Sequence, residues 1–399
     1  MHHVIIIGSR GYIKKYGGWE TLIHGMIDNW IDQNTKFYVI EVSTEPNEPE
    51  FEKIDKIECI RVRTRLKGSL QMLEANAKAI QQLPKYIKKF HMLNPILYVL
   101  GPRVGFFFFL KLPMLKRNRV AVVKNTDGIE WKRDKYGFFR RLYILIDGFF
   151  FDRFVMDYLV ADAKEMLRIY KDKLDSRKKP CDMRVIYYGT NKTNSLNGPI
   201  PDNVKSFFER YSIKFDNYYL IINRLLPENS YEMILKEFLK SDTICDLIVV
   251  TNQDKEKAFF NILKSKIPFE QDNRIKFVGT VYDKEILSWL RQKARGYING
   301  HTMGGTNPGL LEGLATTNVN LVRDCPFSRE GADDTAFYFD ENHPMSELIA
   351  KVDAMPMEER IEIGIRAKKR MSEQFSWSQV NEKYIELFND IQKDRVEKA

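Results

Sequence analysis

Short runs rich in Val, Ile and Tyr alternate with segments of helical length along nearly the whole chain, and this alternation most narrows what the chain can fold into. In the first half the strand-like runs are His3–Gly8, Lys36–Val42, Ile57–Val62, Ile96–Leu100, Val120–Lys124, Val155–Ala161 and Met183–Tyr188. Segments such as Glu20–Gln33 and Ser69–Phe90 separate them. Parallel strands cannot be joined by tight turns and need a crossover, so the pattern predicts largely parallel sheets covered by helices. Residues 190–203 are polar, include Gly198, Pro199 and Pro201, and offer few core candidates, as a linker does. The alternation then restarts with Tyr218–Asn223, Asp246–Thr251, Ile275–Gly279, Gly296–Asn299, Val319–Val322 and Ala336–Phe339. The expected architecture is α/β, with two doubly wound Rossmann-like domains facing each other across a cleft. Residues 1–190 form the first domain, 191–205 the linker and 206–375 the second. A C-terminal helix over 376–399 is expected to pack back toward the first domain. No period of solenoid length repeats.

Charge divides unevenly between the halves. Of 63 Lys+Arg and 54 Asp+Glu in 399 residues, the first 200 residues carry 35 and 22, a balance of +13, and the remainder carry 28 and 32, a balance of −4. Between Arg61 and Lys124 there are 14 basic residues and one acid, Glu74, so this segment is expected to face something anionic. Val104–Leu115 is too short and too interrupted, by Lys111 and Pro113, to span a bilayer, and reads as a core helix. Phe138–Phe154 mixes aromatics with Arg140, Arg141 and Arg153, which suits a helix lying in the headgroup region of an anionic membrane surface. The N-terminus lacks the signature of a signal peptide, and the four widely spaced cysteines show no metal or redox spacing. The expectation is a cytoplasmic protein, peripheral on the inner face of the cell membrane, with no metal and no cofactor. A nucleic-acid binder would use the basic half but would leave the glycine-rich run in the second half without a role, so no nucleic-acid partner is expected.

Two glycine-containing loops carry the candidate chemistry. The first strand ends in Gly8-Ser9-Arg10-Gly11, and Gly17-Gly18-Trp19-Glu20 opens the next helix. Glycines there let backbone N–H groups approach a phosphate, although two tight turns would read the same way. Glu41, ending the second strand, imitates the ribose-binding acid of a nicotinamide enzyme, but the three-glycine spacing is missing. In the second half the run Asn299-Gly300-His301-Thr302-Met303-Gly304-Gly305-Thr306-Asn307-Pro308 leads into a helix capped by Thr306 or Asn307. Its unpaired N–H groups suit a diphosphate. His301, Gly304, Gly305, Thr306 and Asn307 are therefore substrate-binding candidates, and Glu312, a turn into the helix, can accept hydrogen bonds from a sugar hydroxyl. Arg224, just after the strand Tyr218–Asn223, is placed to neutralise a leaving phosphate.

The motifs Ile7-Gly8-Ser9-Arg10-Gly11, Lys15-Tyr16-Gly17-Gly18-Trp19-Glu20-Thr21, Asn125-Thr126-Asp127-Gly128-Ile129-Glu130-Trp131-Lys132-Arg133, Arg224-Leu225-Leu226-Pro227-Glu228-Asn229 and Gly304-Gly305-Thr306-Asn307-Pro308 with Leu310-Leu311-Glu312 resemble the bacterial polysaccharide β-1,4-rhamnosyltransferases. That family belongs to the retaining GT-B glycosyltransferases, and the likeness spans nearly the whole chain in the same order. It implies a dTDP-β-L-rhamnose donor and an undecaprenyl-diphosphate-linked glucose or N-acetylglucosamine acceptor. It also implies Gly17, Gly18 and Glu20 at the substrate, Asp127 as the residue that orients or deprotonates the acceptor, and Glu130 as the alternative base. Two departures from broader retaining GT-B enzymes stand out. The usual pair of glutamates eight positions apart is broken, because Gly304 stands eight before Glu312. The usual Arg and Lys five apart at the diphosphate become Arg224 and Asn229, and Lys132 or Arg133 is the expected substitute cation. Another GT-B transferase, or more remotely a nicotinamide-dependent oxidoreductase, is the competing reading.

Overall fold

The computed structural model describes residues 1–13, 18–45, 47–101, 105–126, 137–174, 181–191, 196 and 198–397. The chain divides into two units, 1–189 with 377–399, and 190–376.

The first unit is built on an eight-stranded sheet. Its strands are β1 (His2–Ile7), β2 (Thr35–Ser43), β3 (Phe51–Ile54), β4 (Ile57–Arg63), β5 (Ile96–Leu100), β6 (Ala121–Thr126), β7 (Tyr158–Ala161) and β8 (Asp182–Val185). They lie in the order β3-β4-β2-β1-β5-β6-β7-β8. All neighbours are parallel except β3, which folds back antiparallel on β4. β3 was absent from the sequence reading because Phe51-Glu52-Lys53-Ile54 is a half-exposed edge strand without an apolar run. The stretch read as a strand from Val155 begins as a π-helical turn, Phe151–Val155, and strand pairing starts only at Tyr158.

Helices cover both faces of this sheet. On one, the C-terminal helix Trp377–Glu397 brings the Tyr384 hydroxyl to 2.6 Å from that of Tyr98 on β5, and Asn125 Nδ2 donates to Tyr98 at 2.6 Å. Trp377 lies against Gly25 of the helix Gly18–Asp28, at a place where any side chain on residue 25 would overlap the indole. On the other face, Lys124 of β6 is almost wholly buried in an ion pair with Asp152, beside the rings of Phe151 and Tyr170. The run read as one core helix is two, Gly105–Leu110 and Leu112–Arg117, with Phe108 buried against Phe151 at 4.9 Å between ring centroids. Among the described residues no helix is long and apolar enough to cross a membrane.

The second unit is an all-parallel six-stranded sheet of β9 (Tyr218–Ile222), β10 (Asp246–Val250), β11 (Ile275–Gly279), β12 (Gly296–Asn299), β13 (Asn320–Arg323) and β14 (Phe337–Phe339). Their order is β11-β10-β9-β12-β13-β14, so the winding reverses between β9 and β12. Two buried clusters clothe the two faces, one around Tyr219, Ile221, Phe238 and Leu321, the other around Tyr218, Leu220, Trp289 and Tyr297. This unit's first helix, Asp202–Arg210, starts within the stretch read as linker, with Val204 and Phe208 buried. None of the four cysteines forms a disulfide, and burial pushes the Cys59 thiol up to about 12.

The Lys124–Asp152 pair gives a stability test. Asp152→Ala strands a buried ammonium and is expected to cost about 3–5 kcal/mol in denaturant unfolding. The double replacement Lys124→Met with Asp152→Leu is expected to recover most of that loss. A single variant as stable as the parent would show that the buried pair does not hold the interior in the arrangement described.

Candidate functional site

In a doubly wound sheet the loops leaving the two strands at the winding reversal run to opposite faces and leave a crevice at the strand C-termini. In the second unit those strands are β9 and β12, followed by Asn223-Arg224 and by Gly300-His301. The two loops are stitched together. Ser230 Oγ donates to the Gly300 carbonyl at 2.8 Å, the Thr302 N–H donates to the Glu228 carbonyl at 3.0 Å, and the Thr302 hydroxyl reaches the same carbonyl at 3.1 Å. Gly300 is required by close approach, since a side chain there would overlap the Asn229 carbonyl oxygen.

Asn229 is the hub of this junction. Its Nδ2 donates to the Arg224 carbonyl at 2.7 Å, and its Oδ1 lies 2.8 Å from His301 Nδ1. Because the amide has committed its N–H to Arg224, Oδ1 accepts, and His301 Nδ1 carries the hydrogen. The residue that stands where a lysine was expected thus holds the backbone of Arg224 and the ring of His301 in one arrangement. Arg224 itself is exposed. The end of β9 is also tied by the Tyr231 hydroxyl, which donates to the Asn223 carbonyl at 3.0 Å, and by Tyr297, which donates to the Ile222 carbonyl at 3.3 Å.

The run after His301 ends as a helix cap. Asn307, rather than Thr306, is the capping side chain, accepting from the Leu310 N–H at 3.0 Å, with Pro308 as first residue of the helix Pro308–Thr316. Gly304 has φ 109, a backbone conformation that side-chain-bearing residues avoid. That gives a physical reason for the missing acid eight positions before Glu312: the loop turns where only glycine is comfortable. Gly305 and Thr306 are buried. Glu312 is paired with Arg291 of the helix Lys284–Lys293, a partner the sequence reading missed because nothing local links positions 21 residues apart.

In the first unit the reversal falls between β1 and β5, and the loop after β1 has Gly8 at φ 103 and Gly11 at φ 121. Two carboxylates hold it. Glu20 Oε1 accepts from the Arg10 N–H at 2.9 Å and Glu41 Oε1 accepts from the Ile13 N–H at 2.7 Å. Glu41 is turned onto this loop, with its carboxylate against Gly11, so the resemblance to a ribose-binding acid lies in position alone. Gly18 opens the helix Gly18–Asp28 and is exposed. Gly17, Asp127, Glu130, Lys132 and Arg133 lie outside the described residues.

Comparison with known proteins agrees with this architecture. Residues 1–191 match a family described as "Domain of unknown function (DUF1972)". No curated protein sequence matches the chain. Among solved structures the chain is similar to sucrose-phosphate synthase from Thermosynechococcus elongatus at 13% identity and a TM-score of 0.71, covering 99% of this chain and 100% of that one. It is similar to HepE from Anabaena in complex with UDP at 14% identity and 0.68, over 98% and 100% of the two chains. A glycosyltransferase from Rickettsia africae gives 16% identity and 0.69, over 98% and 99%. The fold is therefore GT-B, two Rossmann-like α/β units in one chain.

Gly304→Ala forces a Cβ into the left-handed region. It is expected to cost about 1–2 kcal/mol in chemical denaturation, a loss that the ordinary helical preference of alanine does not offset. Unchanged stability would mean that this loop does not hold the φ described.

Proposed function

We propose that the chain is a nucleotide-sugar glycosyltransferase that moves L-rhamnose from dTDP-β-L-rhamnose, with retention, onto a lipid-diphosphate-linked glucose or N-acetylglucosamine in cell-surface polysaccharide synthesis. The observation that carries the reading is the junction at β9 and β12, where an exposed arginine, a histidine of set tautomer and an asparagine-capped helix start converge on one strand edge. Such a constellation suits a diphosphate leaving group, because cations and free helix N–H groups stabilise the charge that develops on it. The Anabaena HepE structures, described as complexes with UDP and with UDP and glucose, support a nucleotide sugar as the ligand class. The sequence motifs shared with the rhamnosyltransferases support rhamnose.

In this mechanism Arg224 and the N–H groups at Gly17-Gly18 and Thr306-Asn307 take the charge of the departing nucleotide diphosphate. His301, held by Asn229, and Gly304, Gly305, Thr306 and Asn307 belong to the substrate-binding set of the second unit. Glu312 accepts from a sugar hydroxyl while its ion pair with Arg291 holds the carboxylate in place. Gly17, Gly18 and Glu20 belong to the substrate-binding set of the first unit, and acceptor activation falls to Asp127 or, alternatively, Glu130. Retention then follows from attack on the face the nucleotide leaves. Transfer from a UDP-sugar is the second reading, favoured by the UDP complexes of HepE.

A donor panel separates the two. The purified chain is incubated with labelled dTDP-rhamnose, UDP-glucose or UDP-galactose and a lipid-linked glucose or N-acetylglucosamine, and rhamnosyl transfer is expected alone. Transfer only from a UDP-sugar would overturn the donor assignment. A thermal-shift series is expected to show stabilisation by dTDP but not by NAD or an oligonucleotide. Arg224→Ala, a change at an exposed side chain, is expected to leave the melting temperature unchanged and to lower kcat about 10²–10³-fold, as loss of one charge-stabilising donor does. Parental turnover in that variant would move the diphosphate site elsewhere.

A further inference from the structure

The helix Phe138–Phe150 is inside out. Phe138, Phe139, Leu142, Tyr143, Leu145, Ile146 and Phe149 are exposed, Phe139 by 84% and Phe138 by 73%, whereas Asp147 and Gly148 face inward. At roughly 100° per residue these seven form one continuous stripe along the helix. A surface helix in water shows the reverse, with its apolar side turned to the core. The stripe is backed by a layer of rings rather than by a mobile arm. Phe150 and Phe154 pack on Phe109 as tilted rings at 5.4 and 5.2 Å between centroids, and Phe108 packs on Phe151. A patch this large needs an apolar partner.

Charge around the patch selects that partner. Lys111, Lys116, Arg117 and Arg119, on and beside the helix Leu112–Arg117 that follows directly on Gly105–Leu110, itself packed against Phe138–Phe150, form no ion pair with any described acid, and the Arg153 guanidinium sits 5.7 Å over the Phe149 ring. A second copy of this chain would bring another half carrying +13 against the first, whereas a lipid surface with anionic headgroups offers both the apolar medium and the opposite charge. With 13 residues the helix is too short to span a bilayer, which leaves it lying in the interface.

The structure also changes how the basic excess is weighed. Of the 14 cations between Arg61 and Lys124, Arg61 is taken by Glu52 and Glu48, Lys78 by Glu74, Lys85 by Glu50 and Lys124 by Asp152, and Lys89 lies over the Phe51 ring. Four of the fourteen cations are thus ion-paired within the unit, and only Arg61 and Lys124 of these are buried.

We propose that the chain docks on anionic membranes by inserting the apolar stripe of Phe138–Phe150 into the headgroup–acyl boundary, with Lys111, Lys116, Arg117 and Arg119 holding headgroups beside it. The proposal gives a location and a mode to the membrane side of the proposed reading, and its test uses no sugar transfer, so either can fail alone. Full-length chain is sedimented with vesicles of phosphatidylcholine containing phosphatidylglycerol. Binding is expected, and raising the salt is expected to weaken it without abolishing it. Phe139→Glu with Ile146→Glu, both at exposed positions, is expected to cut the bound fraction about tenfold or more at unchanged melting temperature. Lys116→Glu with Arg119→Glu is expected to reduce it less and to remove most of its salt dependence. Parental binding by the Phe139→Glu, Ile146→Glu protein, or complete release of the parent by salt, would overturn insertion. So would a lipid-free dimer that this variant dissociates.

Discussion

Parallel pairing is the constraint on which the rest of the structure depends. Once every neighbour of β9 and β12 runs in the same direction, all connections must cross from one end of the sheet to the other, and all strand C-termini emerge at one edge. Reversal of the winding then separates two loops that would otherwise cover each other. Arg224 and His301, 77 positions apart in the chain, become neighbours of Asn229 by that fact alone. The same logic places the glycine loop after β1 at the reversal in the first unit.

What the site loops spend their polar groups on is mostly backbone. Asn229, Ser230, Tyr231, Tyr297, Glu20 and Glu41 each satisfy an N–H or a carbonyl that the turns would leave open, because an unpaired buried polar group costs more than a hydrogen bond returns. The described parts of these loops are therefore tied by hydrogen bonds of the protein itself. Such tying would suit the proposed diphosphate, where stabilisation comes from groups already aimed at the developing charge. Asn229 contributes no cation but holds the Arg224 carbonyl and the His301 ring beside it.

The first unit solves a different problem on its helical face. Lys124 and Asp152 are charged groups buried beside aromatic rings, while Phe138, Phe139 and Ile146, on the helix just before Asp152, stand in solvent. Both choices cost stability in water taken singly. Together they make an outward apolar face on a firmly packed base, which is sensible where part of the surroundings is not water.

The alternation of apolar runs and helical segments, read as a pattern, was enough to specify two parallel α/β units, the strands that carry them, and the glycine and cap residues at their ends, because these follow from local propensity and spacing. The glycine loops at Gly8 and Gly304 belong to that legible part, as does a cap at Thr306 or Asn307, between which only the structure chose. Pairings between distant residues do not. Glu312 with Arg291, Asn229 with His301 and Glu41 with the Ile13 N–H depend on strand order, and no periodicity in the chain encodes which strand lies beside which. The edge strand β3 and the π-turn at Phe151–Val155 were hidden for the converse reason, since each is held by neighbours rather than by its own sequence preference. The direction in which the Phe138–Phe150 stripe faces was likewise decided by tertiary structure: an amphipathic sequence defines two sides, and only packing determines which of them meets solvent.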